Sequence, residues 1–121
     1  MKSFSIKINK TIKYFNKTIY VDGCKSSSIR FFFISSLAYG VSKASGILES
    51  LDVLAAIKIL KQLGIKIFKK KGIYYVYSNG LDSYKTKNSL KFDCQNSGTV
   101  SRLLPSVLLN YKQKFFLDGD F

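Results

Sequence analysis

Along this 121-residue chain, segments in which apolar residues recur at strand spacing alternate with segments in which they recur at helix spacing. Phe4, Ile6 and Ile8 alternate with polar residues, which is the pattern of a half-exposed strand. Apolar residues recur at helical spacing over residues 26–39, 51–63 and 97–110. Around these helices the sequence predicts short strands at residues 18–21, 44–48, 65–70, 73–77, 90–94 and 114–117. The order β-α-β-α-β-β, followed by β-α-β, predicts a mixed α/β (α+β) fold in one globular domain.

The predicted helices carry their own start and stop signals. Serines at positions 26–28 offer N-cap oxygens to the first helix, and Gly40 is placed to end it. Ser50 can cap the second helix, where Asp52 in the first turn complements the helix dipole. Pro105 lies inside the third helix, so we expect a kink there.

Histidine is absent from the sequence, and this excludes several kinds of active site. A chain without histidine has no Ser-His-Asp or Cys-His nucleophile system and no histidine-containing metal site. Its two cysteines are too few for a four-thiolate zinc site. The sequence therefore predicts no metal and no cofactor.

The formal net charge of +13 raises the question of a nucleic-acid partner. The basic residues are 18 lysines and 2 arginines, and the lysines are scattered along the whole chain. Lys, Asn, Ile, Phe and Tyr, all abundant here, are the residues that A/T-rich codons specify. Net charge alone measures only non-specific attraction, so these observations argue against a nucleic-acid partner.

Neither a targeting segment nor a membrane span is evident in the sequence. Residues 1–17 mix lysine with apolar residues and do not build the apolar core of a signal peptide. The most apolar stretch, residues 31–41, has about half the length of a membrane span. We therefore expect a cytoplasmic protein with no membrane partner.

Residues 22–30 (DGCKSSSIR) form the first motif with the chemistry of an anion site. A glycine turn leads directly into a predicted helix start, where free backbone N–H groups and the helix dipole favour negative charge. Lys25 adds a full charge, Ser26 a hydroxyl, and Arg30 a planar fork suited to carboxylate or phosphate. The same residues also fit an ordinary capped helix with solvated side chains.

Residues 96–102 (NSGTVSR) repeat this arrangement at the start of the third predicted helix. By itself this second motif favours an ordinary capped helix. Arginine usage changes the balance, because Arg30 and Arg102 are the two arginines of a lysine-rich chain and lie at equivalent places in the two motifs. A guanidinium retained among so many lysines suggests a position that needs a fork rather than a point charge.

Five segments together resemble the N-terminal part of the EPSP synthases (3-phosphoshikimate 1-carboxyvinyltransferases). They match in order and spacing at residues 23–30 (GCKSSSIR), 46–53 (GILESLDV), 63–64 (LG), 96–104 (NSGTVSRLL) and 119–120 (GD). The related enzymes that act on UDP-N-acetylglucosamine typically have Lys-Asn where Lys25 and Ser26 stand, and they lack the second motif. They remain an alternative, as does a small basic nucleic-acid-binding module.

The resemblance implies a reaction and a set of ligands. EPSP synthases transfer the enolpyruvyl group of phosphoenolpyruvate to the 5-hydroxyl of shikimate 3-phosphate and release phosphate, a step of aromatic amino acid biosynthesis. It implies that Lys25, Ser26 and Arg30 bind shikimate 3-phosphate. It implies that Lys25, Asn96, Gly98 and Arg102 bind phosphoenolpyruvate. The acid–base groups of the family lie in its second domain, so none of the catalytic residues is expected in this segment.

The resemblance also implies an incomplete enzyme. Members of the family have two domains of three βαβαββ units each, arranged as an inside-out barrel with the active site between the domains. Residues 21–121 would be the first unit and part of the second, truncated after its start. Residues 1–20 would be N-terminal strands that pack on the second domain. We therefore expect a chain that is inactive alone: either a fragment of a longer chain, or a decayed or split gene product whose partner is the missing C-terminal portion as a separate chain.

Three residues depart from the family pattern beside the motifs. Asp22 stands where the family usually has proline, Ile29 where it has histidine or asparagine, and Gln95 where it has glycine. Each could weaken ligand binding, but none removes a named ligand residue.

The two cysteines each adjoin one motif, so we expect both thiols near one cleft. Cys24, beside Lys25 at a predicted helix start, is expected to have the more acidic thiol of the pair.

Overall fold

The computed structural model describes residues 5–7, 14, 16, 18–85 and 89–119. Within these residues the chain forms three helices and five strands in the predicted order, and the predicted mixed α/β class is confirmed. The elements are α1 (Lys25–Leu37), β1 (Tyr39–Ala44), α2 (Leu51–Gln62), β2 (Lys66–Lys70), β3 (Ile73–Asn79), β4 (Ser89–Asp93), α3 (Gly98–Leu108) and β5 (Lys114–Asp118).

Two predicted strands are wrong, and a third falls mostly outside the described residues. Residues 18–21 form no strand, and Ile19, Tyr20 and Val21 are exposed. The strand predicted at residues 44–48 begins earlier, at Tyr39, because α1 ends at Leu37. The N-terminal strand pattern rests on residues 4, 6 and 8, of which only residue 6 is described; it is exposed and lies outside any strand.

The strands form two separate sheets in the described part of the chain. One is antiparallel with the order β1-β3-β2, and Val41 and Lys66 both pair with Tyr77 of the central strand. The other is the parallel pair β4-β5, with Phe92 opposite Leu117. Helix α3 connects β4 to β5, as a parallel connection requires.

The core lies between the helices and the inner face of the antiparallel sheet. Phe32 of α1 is fully buried and meets Tyr74 of β3 edge-to-face, with ring centroids 5.2 Å apart. Helix α2 contributes a buried stripe that includes Val53 and Leu60, while its lysines at 58 and 61 face solvent. Burial of this amphipathic face holds α2 against α1.

The helix starts differ from the capping that the sequence predicts. Helix α1 begins after Cys24, and this N-cap makes no side-chain capping bond. The hydroxyl of Ser28 instead donates to the carbonyl of Cys24 and accepts from the backbone N–H of Leu48. Ser50 stands at the N-cap of α2 without a side-chain capping bond. Helix α3 alone of the three is capped in the expected way, since Val100 N–H donates to Ser97 Oγ at 3.3 Å.

Gly40 and Gly23 have structural roles that differ from those the sequence predicts. Gly40 does not end α1 but lies within β1 at φ +98°, paired with Ser78. Gly23 marks a close crossing of two chain segments, because a Cβ built on it would lie 1.9 Å from the carbonyl oxygen of Gly46. We call this contact, together with the hydrogen bond from Leu48 to Ser28, the 23/46 junction. It fixes the entry to α1 against the segment that leads into α2.

Pro105 lies inside α3, which runs from Gly98 to Leu108 around it. Its ring is exposed, and the expected kink stays a prediction. In the described residues, none of the helices combines the length and the apolar character that crossing a bilayer requires.

Candidate anion-binding site

The first turns of α1 and α2 meet through an ion pair. Lys25, the first residue of α1, places its Nζ 2.5 Å from Oδ2 of Asp52 in the first turn of α2. The lysine side chain is half exposed, whereas the carboxylate is only 15% exposed. The contact holds the ammonium at one position while leaving part of it open to an anionic ligand.

A pocket of about 490 Å³ opens beside this ion pair. It is lined by residues of three segments, namely Lys25, Ser50, Leu51, Asp52, Gln95 and Asn96. Lys25 of the first motif and Asn96 of the second therefore share one pocket, although 70 residues separate them in the sequence. We call it the Lys25 pocket.

A second pocket, of about 300 Å³, lies at the start of α3. Asn96, Ser97 and Gly98 line it together with Cys94, Gln95, Ser101 and residues 117–119. It shares Gln95 and Asn96 with the Lys25 pocket. A Cβ built on Gly98 would meet no protein atom within 4 Å, so packing within the described chain does not require glycine there. Gly98, the first residue of α3, lines this space, and a helix start favours an anion, while Asp118 adds a carboxylate to the same lining.

The other candidate residues lie outside these two pockets. Arg30 on α1 and Arg102 on α3 are exposed, and Ser26 is partly buried in the first turn of α1. None of the three is among the residues that line either pocket. The structure thus places Lys25 and Asn96 in one pocket and Asn96 and Gly98 in the adjoining one, whereas both arginine side chains are exposed outside these pockets.

The sequence predicts Ser50 and Asp52 as helix-start residues, but both also line the Lys25 pocket. Asp52 was assigned to the helix dipole, but it also pairs with Lys25. The buried hydroxyl oxygen of Ser50 has no hydrogen-bond partner in the described part of the chain. Neither feature has a local sequence signal, because both depend on how α1 packs against α2.

Comparison with known proteins decides the family. The sequence profile of EPSP synthase (3-phosphoshikimate 1-carboxyvinyltransferase) matches residues 9–121. The chain belongs to the EPSP synthase family. A 3-phosphoshikimate 1-carboxyvinyltransferase of Sulfurihydrogenibium sp. is 37% identical over 114 residues, covering 94% of this chain and 26% of that protein. One from Syntrophomonas wolfei is 36% identical, with the same coverage of each chain.

Solved structures agree with the sequence match. EPSP synthase from Acinetobacter baumannii superposes with a TM-score of 0.72 and 32% identity, covering 84% of this chain and 23% of that one. The resemblance predicted from the five segments is therefore confirmed. This chain spans about a quarter of the length of the curated relatives it matches.

The structure shows the environments of Ile29 and Gln95, two residues that depart from the EPSP synthase pattern. Ile29 is fully buried in the core, so an apolar residue at this position contributes packing. Gln95 has φ +49°, a left-handed conformation that favours glycine. A Cβ on Gly119 would lie 2.9 Å from the carbonyl oxygen of Gln95, so this turn is also crowded by the chain after β5. Asp22 is exposed.

The two cysteines of this EPSP synthase family member have opposite environments. Cys24 is exposed, and the neighbouring backbone N–H of Ser27, followed by the Ser27 hydroxyl, lowers the pKa of its thiol. Burial raises the pKa of Cys94, which lines the α3 pocket. The expected order of acidity is supported. The expected shared cleft is not, because Cys24 lines neither pocket.

We expect Cys24 to react with a maleimide or iodoacetamide faster than Cys94 at neutral pH. A lowered pKa gives more thiolate, and Cys24 is exposed while Cys94 is buried. Labelling rates of Cys94→Ala, which retains Cys24, and Cys24→Ala, which retains Cys94, measure each thiol separately. The rate of Cys24 is expected to rise at lower pH than that of Cys94, and equal rates across the pH range would contradict the assignment.

Proposed function

We propose that this chain supplies the substrate-binding part of an EPSP synthase. The complete enzyme would transfer the enolpyruvyl group of phosphoenolpyruvate to the 5-hydroxyl of shikimate 3-phosphate and release phosphate. The observation that carries the proposal is the Lys25 pocket, where residues of two distant family motifs line one space. The family match favours this reaction over the UDP-N-acetylglucosamine alternative.

Shikimate 3-phosphate is assigned to the side of α1. Lys25 would contact both substrates, with Asp52 holding its ammonium in place. Ser26 adds a hydroxyl in the first turn, and Arg30 lies one turn further along the same helix. An exposed guanidinium is available for a two-pronged contact with the carboxylate of shikimate 3-phosphate.

Phosphoenolpyruvate is assigned to the side of α3. Asn96 lines both pockets and can donate from its amide, while Gly98 leaves the backbone at the helix start open to close approach. Arg102 would support this wall from the next turn of α3. The proposed ligand set is thus the one implied by the family motifs.

The chemistry these residues can perform is neutralisation and orientation of two anions. Phosphoenolpyruvate and shikimate 3-phosphate repel each other, and positive charge with helix N-termini offsets that repulsion. Holding the enol carbon against the 5-hydroxyl converts an encounter of two molecules into a step within one complex. The groups that move protons are proposed to lie in the second domain of the complete enzyme.

The domain organisation forms part of the same proposal. Residues 21–121 would be the first βαβαββ unit and part of the second of a domain completed by further chain or by a separate partner. Residues 1–20 would pack on the second domain. The enzyme would act in the cytoplasm.

Replacing Arg30 by lysine tests the proposed cradle in a complete enzyme rebuilt around this segment. Arg30→Lys keeps the charge but loses the fork, so shikimate 3-phosphate is expected to bind roughly tenfold or more weakly. Isothermal titration with shikimate 3-phosphate measures the change. Lys61→Arg, the reverse exchange at an exposed position of α2, is the matched control and should bind like the parent. If Arg30→Lys also binds like the parent, the first motif is an ordinary helix start.

A further inference from the structure

The outward side of the antiparallel sheet carries an unusual set of side chains. Partners in the strand register point to the same side of a sheet and successive pairs alternate between its two sides, so every second pair along β1, β3 and β2 belongs to the outward surface. We call this surface the aromatic–lysine face. It consists of Val41, Lys43, Lys66, Phe68, Tyr75 and Tyr77, with Tyr39 at its end. The opposite side, which includes Tyr74 and Val76, packs on α1 in the core.

Three aromatic rings of this face pack against one another. Phe68 stacks on Tyr75 with ring centroids 5.1 Å apart and on Tyr77 at 5.5 Å. Tyr39 is 87% exposed and Tyr77 is 38% exposed, whereas Phe68 and Tyr75 are partly buried. The ring of Tyr39 and the exposed part of Tyr77 are therefore available to stack on a planar ligand.

Lysine side chains lie beside the rings, and the described strands place no carboxylate among them. Lys43 Nζ lies 5.5 Å from the ring centre of Tyr75, and Lys66 Nζ lies 5.4 Å from that of Tyr77. The three strands contain no Asp or Glu. The carboxylate of Glu49 pairs with Lys69, whose register partner Tyr74 belongs to the opposite side of the sheet. Within the described residues neither Lys43 nor Lys66 pairs with a carboxylate, so both can contact an anion.

A pocket of about 310 Å³ continues the face at its Tyr39 end. Tyr39, Val41, Lys66 and Tyr77 line it together with Lys85 of the loop after β3, and the whole lining lacks carboxylates. The face therefore combines planar apolar surface and cations over a length greater than one small anion needs. Scattered lysines argued against a polyanion at the level of sequence, but the strand register gathers several of them beside the aromatic rings.

We propose that the aromatic–lysine face binds single-stranded nucleic acid independently of sequence. The rings would stack on unpaired bases, and Lys43, Lys66 and Lys85 would contact phosphates. In a duplex the bases stack on one another, so their planes are not accessible to the rings of this face. An acidic peptide would use the lysines and leave the ring faces unused. The combination on this face thus favours a single strand.

The first test compares removal of positive charge from the aromatic–lysine face with removal of the same charge elsewhere on the surface. A fluorescein-labelled 15-nucleotide poly-U RNA is titrated with the 121-residue chain, and binding is followed by fluorescence anisotropy. Lys43→Gln/Lys66→Gln removes two positive charges from the face, and Lys61→Gln/Lys112→Gln removes two from exposed positions outside the sheet. The face variant is expected to bind about tenfold more weakly, and the control to change by less than about threefold. Equal loss in both variants overturns the proposal.

The second test removes stacking while keeping the charge. Tyr39→Leu/Tyr77→Leu retains apolar surface and every lysine, and we expect about tenfold weaker binding of the RNA. Circular dichroism and thermal unfolding must show parent-like folding for each variant, and a single Tyr39→Leu variant at this highly exposed position serves if the double variant unfolds. An unchanged affinity of the stacking variant overturns the proposal. Binding of duplex RNA or poly-glutamate as tight as that of poly-U, or self-association through this face in sedimentation, also overturns it.

Discussion

Gly23→Ala is expected to destabilise the folded chain by about 3 kcal/mol or more, because backbone must move to admit one methyl group. The added Cβ would lie 1.9 Å from the carbonyl oxygen of Gly46 and 3.1 Å from the backbone nitrogen of Leu48. Neither atom can rotate away as a side-chain end could. The loss is measured as a lower midpoint of urea unfolding followed by circular dichroism.

Gly98→Ala provides the matched control for Gly23→Ala. A Cβ on Gly98 meets no protein atom within 4 Å, and the residue is helical, so its stability should stay equal or rise by up to about 1 kcal/mol. Amide exchange gives a second readout, since the Leu48 N–H that donates to Ser28 should exchange faster in Gly23→Ala. Equal unfolding midpoints of the two variants would show that the 23/46 junction is not a close contact in solution.

Phe32→Ala is the second substitution with a large expected effect, a loss of about 3–5 kcal/mol. Phe32 is fully buried and contacts Phe31 and Tyr74 edge-to-face, so truncation leaves a cavity between α1 and the sheet. Ile34→Ala on the same helix is the control, because Ile34 is 67% exposed and its loss should change stability by at most about 0.5 kcal/mol. Similar losses in both variants would place the buried side of α1 elsewhere.

The elements that the sequence predicts well are those with strong local patterns. Helix α2 was predicted within one residue, since its buried stripe, first-turn acid and following glycine agree with one another. The hairpin of β2 and β3 was likewise evident from apolar runs around Lys71 and Gly72. Such agreement between periodicity and turn residues leaves few alternatives.

Elements whose local signals conflict were predicted poorly. Gly40 is typical of a helix end, so the sequence predicts that the first helix continues to residue 39 and that the next strand begins only at residue 44. In the structure α1 ends at Leu37 and β1 begins at Tyr39. Gly40 instead adopts φ +98° within β1, a position that tertiary pairing with Ser78 selects. The serines at 26–28 resembled caps, but Ser28 reaches Leu48, 20 residues away, which no local pattern reveals.

The sequence predicts some features of the candidate site, and only the structure shows the others. The helix starts with Lys25 and with Gly98 could be read from glycine, hydroxyl and cation patterns. Lys25 and Asn96, one from each motif, line the same pocket, and family resemblance rather than periodicity implied this proximity. The pairing of Lys25 with Asp52 depends on the packing of α1 against α2, so it became visible only in three dimensions.

The 23/46 junction has a consequence for genetics. It is built from a glycine that tolerates no Cβ, a glycine at φ +67° and a serine hydroxyl shared by two segments. Lys25 follows two residues after Gly23 and depends on this crossing for its place beside Asp52. In the complete enzyme proposed above, with Lys25 in its proposed role, a screen for lost substrate binding would therefore recover variants of Gly23, Gly46 and Ser28 alongside those of Lys25. Their shared phenotype would arise from misfolding at the crossing, and second-site suppressors would separate the two groups, since only the folding variants respond to a globally stabilising substitution.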